Sequence, residues 1–244
     1  MASSEILRYQ QKVHREYSED VGLPKRYTYP DGNPIRALPP VKTKPKGLMI
    51  VGAYPSARFE SRPPAKQNER RRLVPIADNL QPFGREEYFD GVKVRELESA
   101  SGLDKYLLSH LKIDLEDCWV TDLVKVFLYK KSHLESCNAV HPKFKVHVLR
   151  DNFKELGKKS LPWLKEECEL CEPRLVLTMG LEVAQVVSGE LSAKADDLLA
   201  RKISYPESIK GYPTLYLPHP DACRRYSKWE NKTKSMVPTI KKAI

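Results

Sequence analysis

Two titratable residues of this sequence follow short apolar runs that have the composition of buried strands. They are Asp122 and His219, and His219 stands between Pro218 and Pro220. The two prolines leave the backbone of His219 little freedom, which favours a fixed position for its imidazole. A buried carboxyl group can have a raised pKa and act as an acid, so both side chains are candidates for chemistry. Each also has a simpler interpretation: His219 as a turn histidine exposed to water, and Asp122 as the partner of a nearby lysine.

Four apolar runs predict the strands that would position these side chains. The first, Leu48–Val51, is continuously apolar, which suits a strand buried on both faces of a parallel sheet, and Gly52 and Pro55 turn the chain after it. Because open α/β sheets bind ligands at the carboxyl ends of their strands, this turn is a candidate site. The sequence predicts an α/β fold: a three-layer α/β/α sandwich with a mostly parallel four-stranded central sheet, its strands starting near residues 47, 117, 174 and 213.

The N-terminal part of the chain has a different composition from the rest. Residues 1–45 predict a helix over 4–17 and then a strap, which is rich in proline; residues 46–244 predict the main domain. The strap would either cover an edge of the sheet or lie across nucleic acid, and the first of these is the simpler interpretation.

Two further segments carry predictions about local structure. Residues 56–72 are polar and interrupted by prolines, so they predict a long loop, of the kind that is usually functional or disordered. Residues 92–112 predict a helix that crosses from the first strand to the second, with a break at Ser101–Asp104.

The charge of the chain favours a polyanionic partner. Lys and Arg number 42 against 32 Asp and Glu, which gives a net charge of +10 and a pI of about 9.3. A basic surface without a partner is the alternative. No apolar run is long enough to span a membrane, and the N-terminus lacks an apolar signal region, so we expect a cytoplasmic protein. The excess of positive charge is concentrated near Arg58–Arg72, Lys125–Lys131, Lys143–Lys159 and Arg224–Lys242.

The five cysteines have no repeating framework, which fits a reducing compartment. Cys137 and His141, together with Cys168 and Cys171, have a spacing that could form a four-ligand zinc site. Cys168 and Cys171 also continue a helical stripe with Leu164, where cysteine acts as a small apolar residue. We favour the second interpretation and expect no metal.

Taken together, the segments that follow the predicted strands resemble the uracil-DNA glycosylase superfamily, most closely its iron–sulfur branch. That branch has Gly-Glu-x-Pro-Gly, Thr-Asn-x-x-Lys, Pro-Lys before an apolar strand and Gly, and His-Pro-Ser/Ala. A further segment, Pro-Phe-x-Gly-Arg, belongs to the superfamily. The resemblance covers about residues 46 to 230. The corresponding segments are Gly52-Ala-Tyr-Pro55, Pro82-Phe83-Gly-Arg85, Thr121-Asp-Leu-Val-Lys125, Pro173-Arg followed by Leu175–Gly180, and His219-Pro-Asp221.

The resemblance implies a DNA base-excision glycosylase, a hydrolase of DNA repair that flips a modified or deaminated base, such as uracil, out of the duplex. It implies that Phe83 stacks on the base, that Asp122 reads its edge, and that His219 donates to the base oxygen as charge develops. Single- or double-stranded DNA would be the partner, and we expect a monomer. The base pocket would include Gly52, Ala53, Tyr54 and Pro55, and phosphates would be held by Arg58, Arg70, Arg71, Arg72, Lys125, Arg224 and Arg225.

The sequence departs from the family pattern at functional positions. Ala53 and Tyr54 stand where relatives have a carboxylate or amide that positions water. Asp122 stands where the branch has Asn, which leaves three readings open: a protonated Asp that donates, a base that presents two donors, or an Asp that acts as an acid. The middle cluster cysteines correspond to Val126 and Ser160, and residues 1–47 contain no cysteine, so no iron–sulfur cluster and no other cofactor are expected.

These departures leave two other functions open. The protein could be a catalytically silent member of the fold that binds DNA or RNA, or an enzyme that handles free nucleosides or nucleotides in the same crevice.

Overall fold

The computed structural model describes residues 2–66, 70–84, 87–90, 92–96 and 98–244. A π-helical turn, Asp104–Leu108, joins the helix Glu98–Leu103 to the helix Ser109–Leu111, and the three form one continuous helical segment. The strands are β1 Leu48–Gly52, β2 Ala57–Arg62, β3 Arg72–Asp78, β4 Glu87–Phe89, β5 Val94–Glu96, β6 Cys118–Asp122, β7 Leu175–Met179 and β8 Thr214–Leu217. The helices are α1 Ala2–Asp20, α2 Glu98–Leu103, α3 Ser109–Leu111, α4 Lys131–Val140, α5 Phe153–Cys171, α6 Leu181–Ser188, α7 Ala195–Leu198, α8 Pro220–Arg225 and α9 Ser227–Ala243.

The central sheet contains four parallel strands in the order β6-β1-β7-β8. Every residue of these strands is buried, as the continuous apolar runs predict. The register pairs Gly52 of β1 with Asp122 of β6. The predicted α/β/α sandwich with a parallel four-stranded sheet is therefore confirmed, and the strand starts differ from the prediction by one residue.

Successive residues of the sheet supply two separate apolar cores, one on each face. Met49 and Val51 pack into the core beneath α1, α5 and α6, whereas Leu48 and Ile50 pack into the core beneath the helical segment α2–α3 and α9. The apolar stripe of that segment is buried and consists of Leu103, Tyr106, Leu107 and Leu111. None of the described helices is long and apolar enough to cross a membrane.

The N-terminal segment packs on this sheet. Tyr9, Val13 and Tyr17 of α1 are buried against the domain. Farther along, the strap runs beside β6: the Lys44 amide donates to the Cys118 carbonyl (3.3 Å), and the Val120 amide donates to the Lys42 carbonyl (2.9 Å). These bonds cover the outer edge of β6, which is otherwise open to pairing with another chain.

Two predictions about local structure are wrong. The predicted loop 56–72 instead contains β2, which pairs antiparallel with β3; Gln67–Glu69 lie outside the described residues. Alternation is present, because Ala57 and Ser61 are buried while Arg58 and Glu60 are exposed, but the charged residues conceal it in the sequence. The predicted helix 92–112 begins only after β5, and Ser101–Asp104 does not break it, because the π-turn carries the helical path onward.

A buried ion pair connects the central sheet to its covering helices. Lys125 and Glu167 are both fully buried, with Lys125 Nζ 2.5 Å from Glu167 Oε1. Lys125 Nζ also donates to Thr121 Oγ1 (2.6 Å) and to the Asp122 carbonyl (2.6 Å). Glu167 also accepts from the Tyr9 hydroxyl (2.7 Å) and from Trp119 Nε1 (3.1 Å). Because each charge has several partners, the cost of removing both from water is offset.

We predict that Glu167→Gln lowers the free energy of unfolding by about 3–5 kcal/mol, because it leaves the Lys125 charge buried without its counter-ion. The neighbouring Glu166 is a matched control, since its carboxylate pairs with Lys12 at the partly exposed surface. We expect Glu166→Gln to cost about 1 kcal/mol or less. Chemical denaturation of the two variants measures the difference, and equal losses would contradict the assignment.

Candidate functional site

The turns that follow the central strands surround a cavity of about 560 Å³. It lies at the carboxyl ends of the parallel strands, where an open α/β sheet is expected to bind its ligand. The cavity brings together Ala53, Tyr54, Pro55, Phe83, Asp122, His219 and Arg225, which the sequence singled out. It is also lined by residues to which the sequence analysis assigned no role in the site, namely Ser56, Phe59, Asn79, Phe127, Lys130, His133, Arg150, Asp221, Ala222 and Tyr226.

Gly52 is the position at which two of these side chains meet. A Cβ atom there would overlap Asp122 Oδ1 and lie 2.8 Å from Phe83 Cε2. The absence of a side chain therefore lets the Asp122 carboxyl and the Phe83 ring approach the end of β1 from the cavity. Phe83 itself has a positive φ of 51°, a conformation that a bulky residue rarely adopts without support from its surroundings.

Asp122 contributes a carboxyl group that is almost entirely removed from water. The residue is 4% exposed, and its Oδ2 atom has no hydrogen-bond partner among the described residues. Burial raises the pKa of Asp122 to about 7; nearby Lys125 opposes this shift, and Glu167 adds to it. A buried acceptor without a partner at a cavity wall is a group that a ligand can satisfy.

His219 caps the first turn of α8, and this contact determines its proton position. Its Nδ1 atom accepts a hydrogen bond from the Asp221 amide (3.2 Å), so the proton of the neutral ring is on Nε2. Burial lowers the pKa of His219; Asp221 raises it, while Lys130 and Arg150 lower it further. The neutral imidazole therefore offers Nε2–H as a hydrogen-bond donor.

The chain just after β1 does not supply a carboxylate. Ala53 is fixed by its carbonyl, which accepts from the Val124 amide (3.0 Å). Tyr54 lies beneath the Arg150 guanidinium, which is 5.5 Å from its ring centroid, and burial raises the pKa of Tyr54 to about 12. Arg150 in turn forms a bidentate ion pair with Glu182. Tyr54 is thus a neutral wall of the cavity.

An aromatic wall that the sequence analysis missed faces the same cavity. His133 stacks on Phe127, with ring centroids 5.5 Å apart and an interplanar angle of 22°, and Phe59 lies 5.4 Å from His133. The Nδ1 atom of His133 accepts a hydrogen bond from the Lys130 amide (3.3 Å), and burial lowers the pKa of His133 to about 4. The wall was hidden because Phe59 lies in the charged β2 segment. The sequence did contain one signal. Lys130 and His133 come directly after a largely apolar run, residues 123–129.

The residues predicted to bind phosphate are not all at the surface of the protein. Arg58, Arg70, Arg71 and Arg72 are exposed on or beside the β2–β3 hairpin, and Arg224 and Arg225 are exposed on α8. Arg85, part of the motif that contains Phe83, lies outside the described residues. The prediction for Lys125 is wrong, because its side chain is fully buried and paired with Glu167, so it cannot reach a phosphate. Cys223, which directly precedes the two arginines, is buried against Thr233.

The residues at the cluster positions of the related branch do not fit an iron–sulfur cluster. Val126 is fully buried, and the Ser160 hydroxyl lies 2.6 Å from the Tyr17 hydroxyl. The same Tyr17 hydroxyl accepts from the Lys125 amide (2.9 Å), so Tyr17 occupies the space between the two positions. Neither side chain can provide a thiolate for iron.

The alternative zinc ligands do not converge either. Cys168 Sγ lies 3.7 Å from Met49 Sδ in the core, whereas His141 Nε2 lies 3.4 Å from Asp31 Oδ1 near the surface. Within the part of the chain that the structure describes, no group of three His, Cys, Asp or Glu side chains is arranged to hold a metal ion.

We predict that Gly52→Ala displaces the Asp122 carboxyl and the Phe83 ring and lowers the free energy of unfolding by about 1–3 kcal/mol, because the added methyl group overlaps both. Gly47, which directly precedes the same strand, is a matched control: an added Cβ there would meet only the Asp117 carbonyl, at an ordinary 3.7 Å. We expect Gly47→Ala to change stability by about 0.5 kcal/mol or less. Denaturation of both variants tests this, and a tolerated Gly52→Ala would contradict the close approach.

We also predict that stability depends on pH through Asp122. Since folding raises its pKa above the ordinary value of 3.8, the folded state binds the proton more tightly. The contribution of Asp122 is therefore fully present below about pH 4 and is lost as the pH rises through about 7. As the pH rises from about 4 to about 7, Asp122→Asn should therefore gain stability relative to the wild type, measured by denaturation at several pH values. A difference that does not change with pH would contradict the raised pKa.

Comparison with known proteins agrees with this geometry. A search of curated proteins gave no match. The family described as the uracil DNA glycosylase superfamily matches residues 41–242, which include every central strand and the whole cavity wall. The match covers well over half of the sequence, so the chain belongs to the uracil DNA glycosylase superfamily.

Proposed function

We propose that this protein is a DNA glycosylase that takes a modified or deaminated base into the cavity and hydrolyses its N-glycosidic bond. The observation that carries the proposal is the convergence of Phe83, Asp122 and His219 on one cavity at the carboxyl ends of the strands. These are an aromatic face, a buried carboxyl with an unsatisfied oxygen, and an imidazole donor. A flipped base requires a stacking surface, an edge reader and a group that stabilises its leaving charge.

In this mechanism the base stacks on Phe83 and directs its edge at Asp122. As the glycosidic bond breaks, negative charge develops on the departing base. His219 Nε2–H donates to the base oxygen, and this bond strengthens in the transition state because the acceptor becomes an anion. The neutral imidazole suits this role, since Nδ1 is already held by the Asp221 amide and the ring cannot turn away.

The protonation state of Asp122 determines which base edge it can bind. As a neutral acid it offers one donor and one acceptor, as an amide does, and so matches the N3–H and O4 of uracil. As a carboxylate it offers acceptors alone and matches a base with two adjacent donors, such as guanine. With a pKa of about 7, both states are populated near neutral pH.

Ala53 and Tyr54 provide no carboxylate that could activate the attacking water. The rate of hydrolysis therefore depends more heavily on stabilising the departing base. Of the other acidic groups at the cavity, Asp221 is engaged by Arg224 and Arg225, with nitrogen–oxygen distances of 2.7 and 2.8 Å. Catalysis would therefore be slower than in a site with a dedicated base.

The lack of a carboxylate at Ala53 and Tyr54 favours a second candidate, a catalytically silent member of the family that binds nucleic acid. Such a protein would use the exposed arginines of β2–β3 and α8 without releasing a base. For the active candidate, we propose DNA as the partner. A monomeric state and a cytoplasmic location stay predictions.

The proposed activity is tested with labelled single- and double-stranded oligonucleotides that contain uracil, hypoxanthine, xanthine or mismatched guanine, followed by alkali to reveal abasic sites. We expect cleavage by the wild type and a loss of about 10²–10³-fold in His219→Ala, the cost of removing one donor to a developing anion. His147→Ala is the control, because this exposed histidine does not line the cavity. Intact substrates together with tight binding would support the silent member instead.

The pH profile of the same assay identifies the reader. On uracil, wild-type activity should fall as the pH rises through about 7, because Asp122 loses the proton with which it donates. Asp122→Asn should remove that fall, since an amide donates at every pH. A wild-type profile that Asp122→Asn leaves unchanged would show that another group reads the base.

A further inference from the structure

Two polar residues of the cavity wall are almost entirely removed from water, Asp122 at 4% exposed and Asn79 at 5%. The other polar residues that line the cavity, as far as the structure describes them, are more exposed. Asp122 has a role in the proposed function, whereas Asn79 has none. A buried polar group at a cavity wall requires a hydrogen-bond partner, and the ligand is the group that enters there.

One end of the Asn79 side chain already has its partner. The Leu80 amide donates to Asn79 Oδ1 (2.7 Å), and this oxygen also lies against Gly84, where an added Cβ would be only 2.9 Å from it. Because a backbone amide only donates, this bond distinguishes the oxygen of the side chain from its amine. The Nδ2 amine retains two hydrogens to donate, and no described residue accepts from it.

Asn79 and Asp122 both adjoin Phe83, the proposed stacking face. Asp122 Oδ1 and the Phe83 ring converge at the end of β1. Asn79 contacts Gly84, the residue after Phe83, and the Gly84 amide donates to the Gln81 carbonyl (3.1 Å), which closes the turn between them. An acceptor without a partner, Asp122 Oδ2, and the donor of Asn79 therefore belong to one aromatic corner of the cavity.

We propose that Asn79 is a specificity-determining residue, which donates from Nδ2 to a carbonyl oxygen of the base while Asp122 accepts from the ring N–H beside that oxygen. This inference rests on the proposed function for the presence of a base in the cavity. The pair selects bases that present a ring N–H next to a carbonyl, such as uracil and hypoxanthine. Adenine and cytosine carry an amine where Asn79 requires an acceptor.

The donor of Asn79 is present at every pH, in contrast to that of Asp122. Above its pKa of about 7, Asp122 is a carboxylate and only accepts, while Asn79 still donates to the base oxygen. Below that pKa the protonated Asp122 adds a second donor, and the two lone pairs of a carbonyl oxygen accept both. Uracil is therefore read in either state of Asp122, and more weakly by the carboxylate.

The test measures binding without turnover, so that its result does not depend on base release. The probes are single-stranded oligonucleotides with one 2′-fluoroarabino nucleotide, whose fluorine disfavours positive charge on the sugar and keeps the glycosidic bond intact. The base is uracil, 2-thiouracil or 4-thiouracil, because sulfur is a weaker acceptor than oxygen. Titration at about pH 7.5, where Asp122 is mostly ionised, reduces its contribution as a donor.

Three variants are compared with the wild type. Asn79→Asp keeps an oxygen for the Leu80 amide and loses the donor, whereas Asn79→Ala loses both. Asn152→Ala is the matched control: the Asn152 Oδ1 atom also accepts from a backbone amide, that of Leu149 (3.2 Å), but this residue is exposed and does not line the cavity. Far-UV circular dichroism verifies that the variants are folded.

We expect the wild type and Asn152→Ala to bind one of the two thio probes about tenfold more weakly than the uracil probe. Asn79→Asp and Asn79→Ala should bind these two probes about equally, because the donor whose bond is weakened by sulfur is absent. The thio position that loses its effect identifies the oxygen that Asn79 reads. A ratio of affinities that stays at the wild-type value in both Asn79 variants would overturn the proposal, since the contact with Leu80 would then be only structural. Equal binding of all three probes by the wild type would overturn it as well.

The outcomes also separate this inference from the proposed function. If the wild type releases no base from ordinary deoxyuridine while Asn79 governs the discrimination between probes, the glycosylase assignment fails and the base reading stands. If base is released while the Asn79 variants discriminate as the wild type does, the assignment stands and the reading by Asn79 fails.

Discussion

The arrangement of the cavity depends on the buried ion pair between Lys125 and Glu167. Three parts of the fold meet there, because Glu167 lies in α5, accepts from Tyr9 of α1, and faces the lysine that follows β6. Lys125 also holds the Asp122 carbonyl, so the same ammonium group fixes the turn from which Asp122 enters the cavity. A hydrophobic pair of equal size could fill this space. It could not donate a hydrogen bond to the buried Asp122 carbonyl, which is why a charge at this position serves the site as well as the core.

The ion pair also bears on the chemistry of Asp122. Lys125 favours the charged carboxylate, Glu167 disfavours it, and burial outweighs both. Because the two charges largely oppose each other, burial against Phe83 and Gly52 determines the proton affinity of Asp122. An amide in this position would be insensitive to these surroundings. In the proposed function, a carboxyl group in place of the amide of the related branch would therefore make base recognition depend on pH, in a site where burial lowers the pKa of the other donor, His219.

The sequence was sufficient for the parts of the molecule that repeat a simple pattern. Continuous apolar runs identify the four central strands, and Asp122 and His219 line one cavity because the carboxyl ends of parallel strands lie on the same side of the sheet. The β2–β3 hairpin was missed, since charged residues on its outer face conceal the alternation. Lys125 was assigned to nucleic acid because a sequence does not report burial. Its partner Glu167 is distant in the chain, and only the packing of α5 brings the two together.

His219 connects the base-binding side proposed for the cavity with its cationic side. Burial lowers the pKa of His219, and Lys130 and Arg150 lower it further against the opposing effect of Asp221. In the proposed function, the positive potential of the same cations would favour an anion on the departing base. The two effects act together only while the Asp221 amide occupies Nδ1, because this hydrogen bond keeps the donor proton on Nε2.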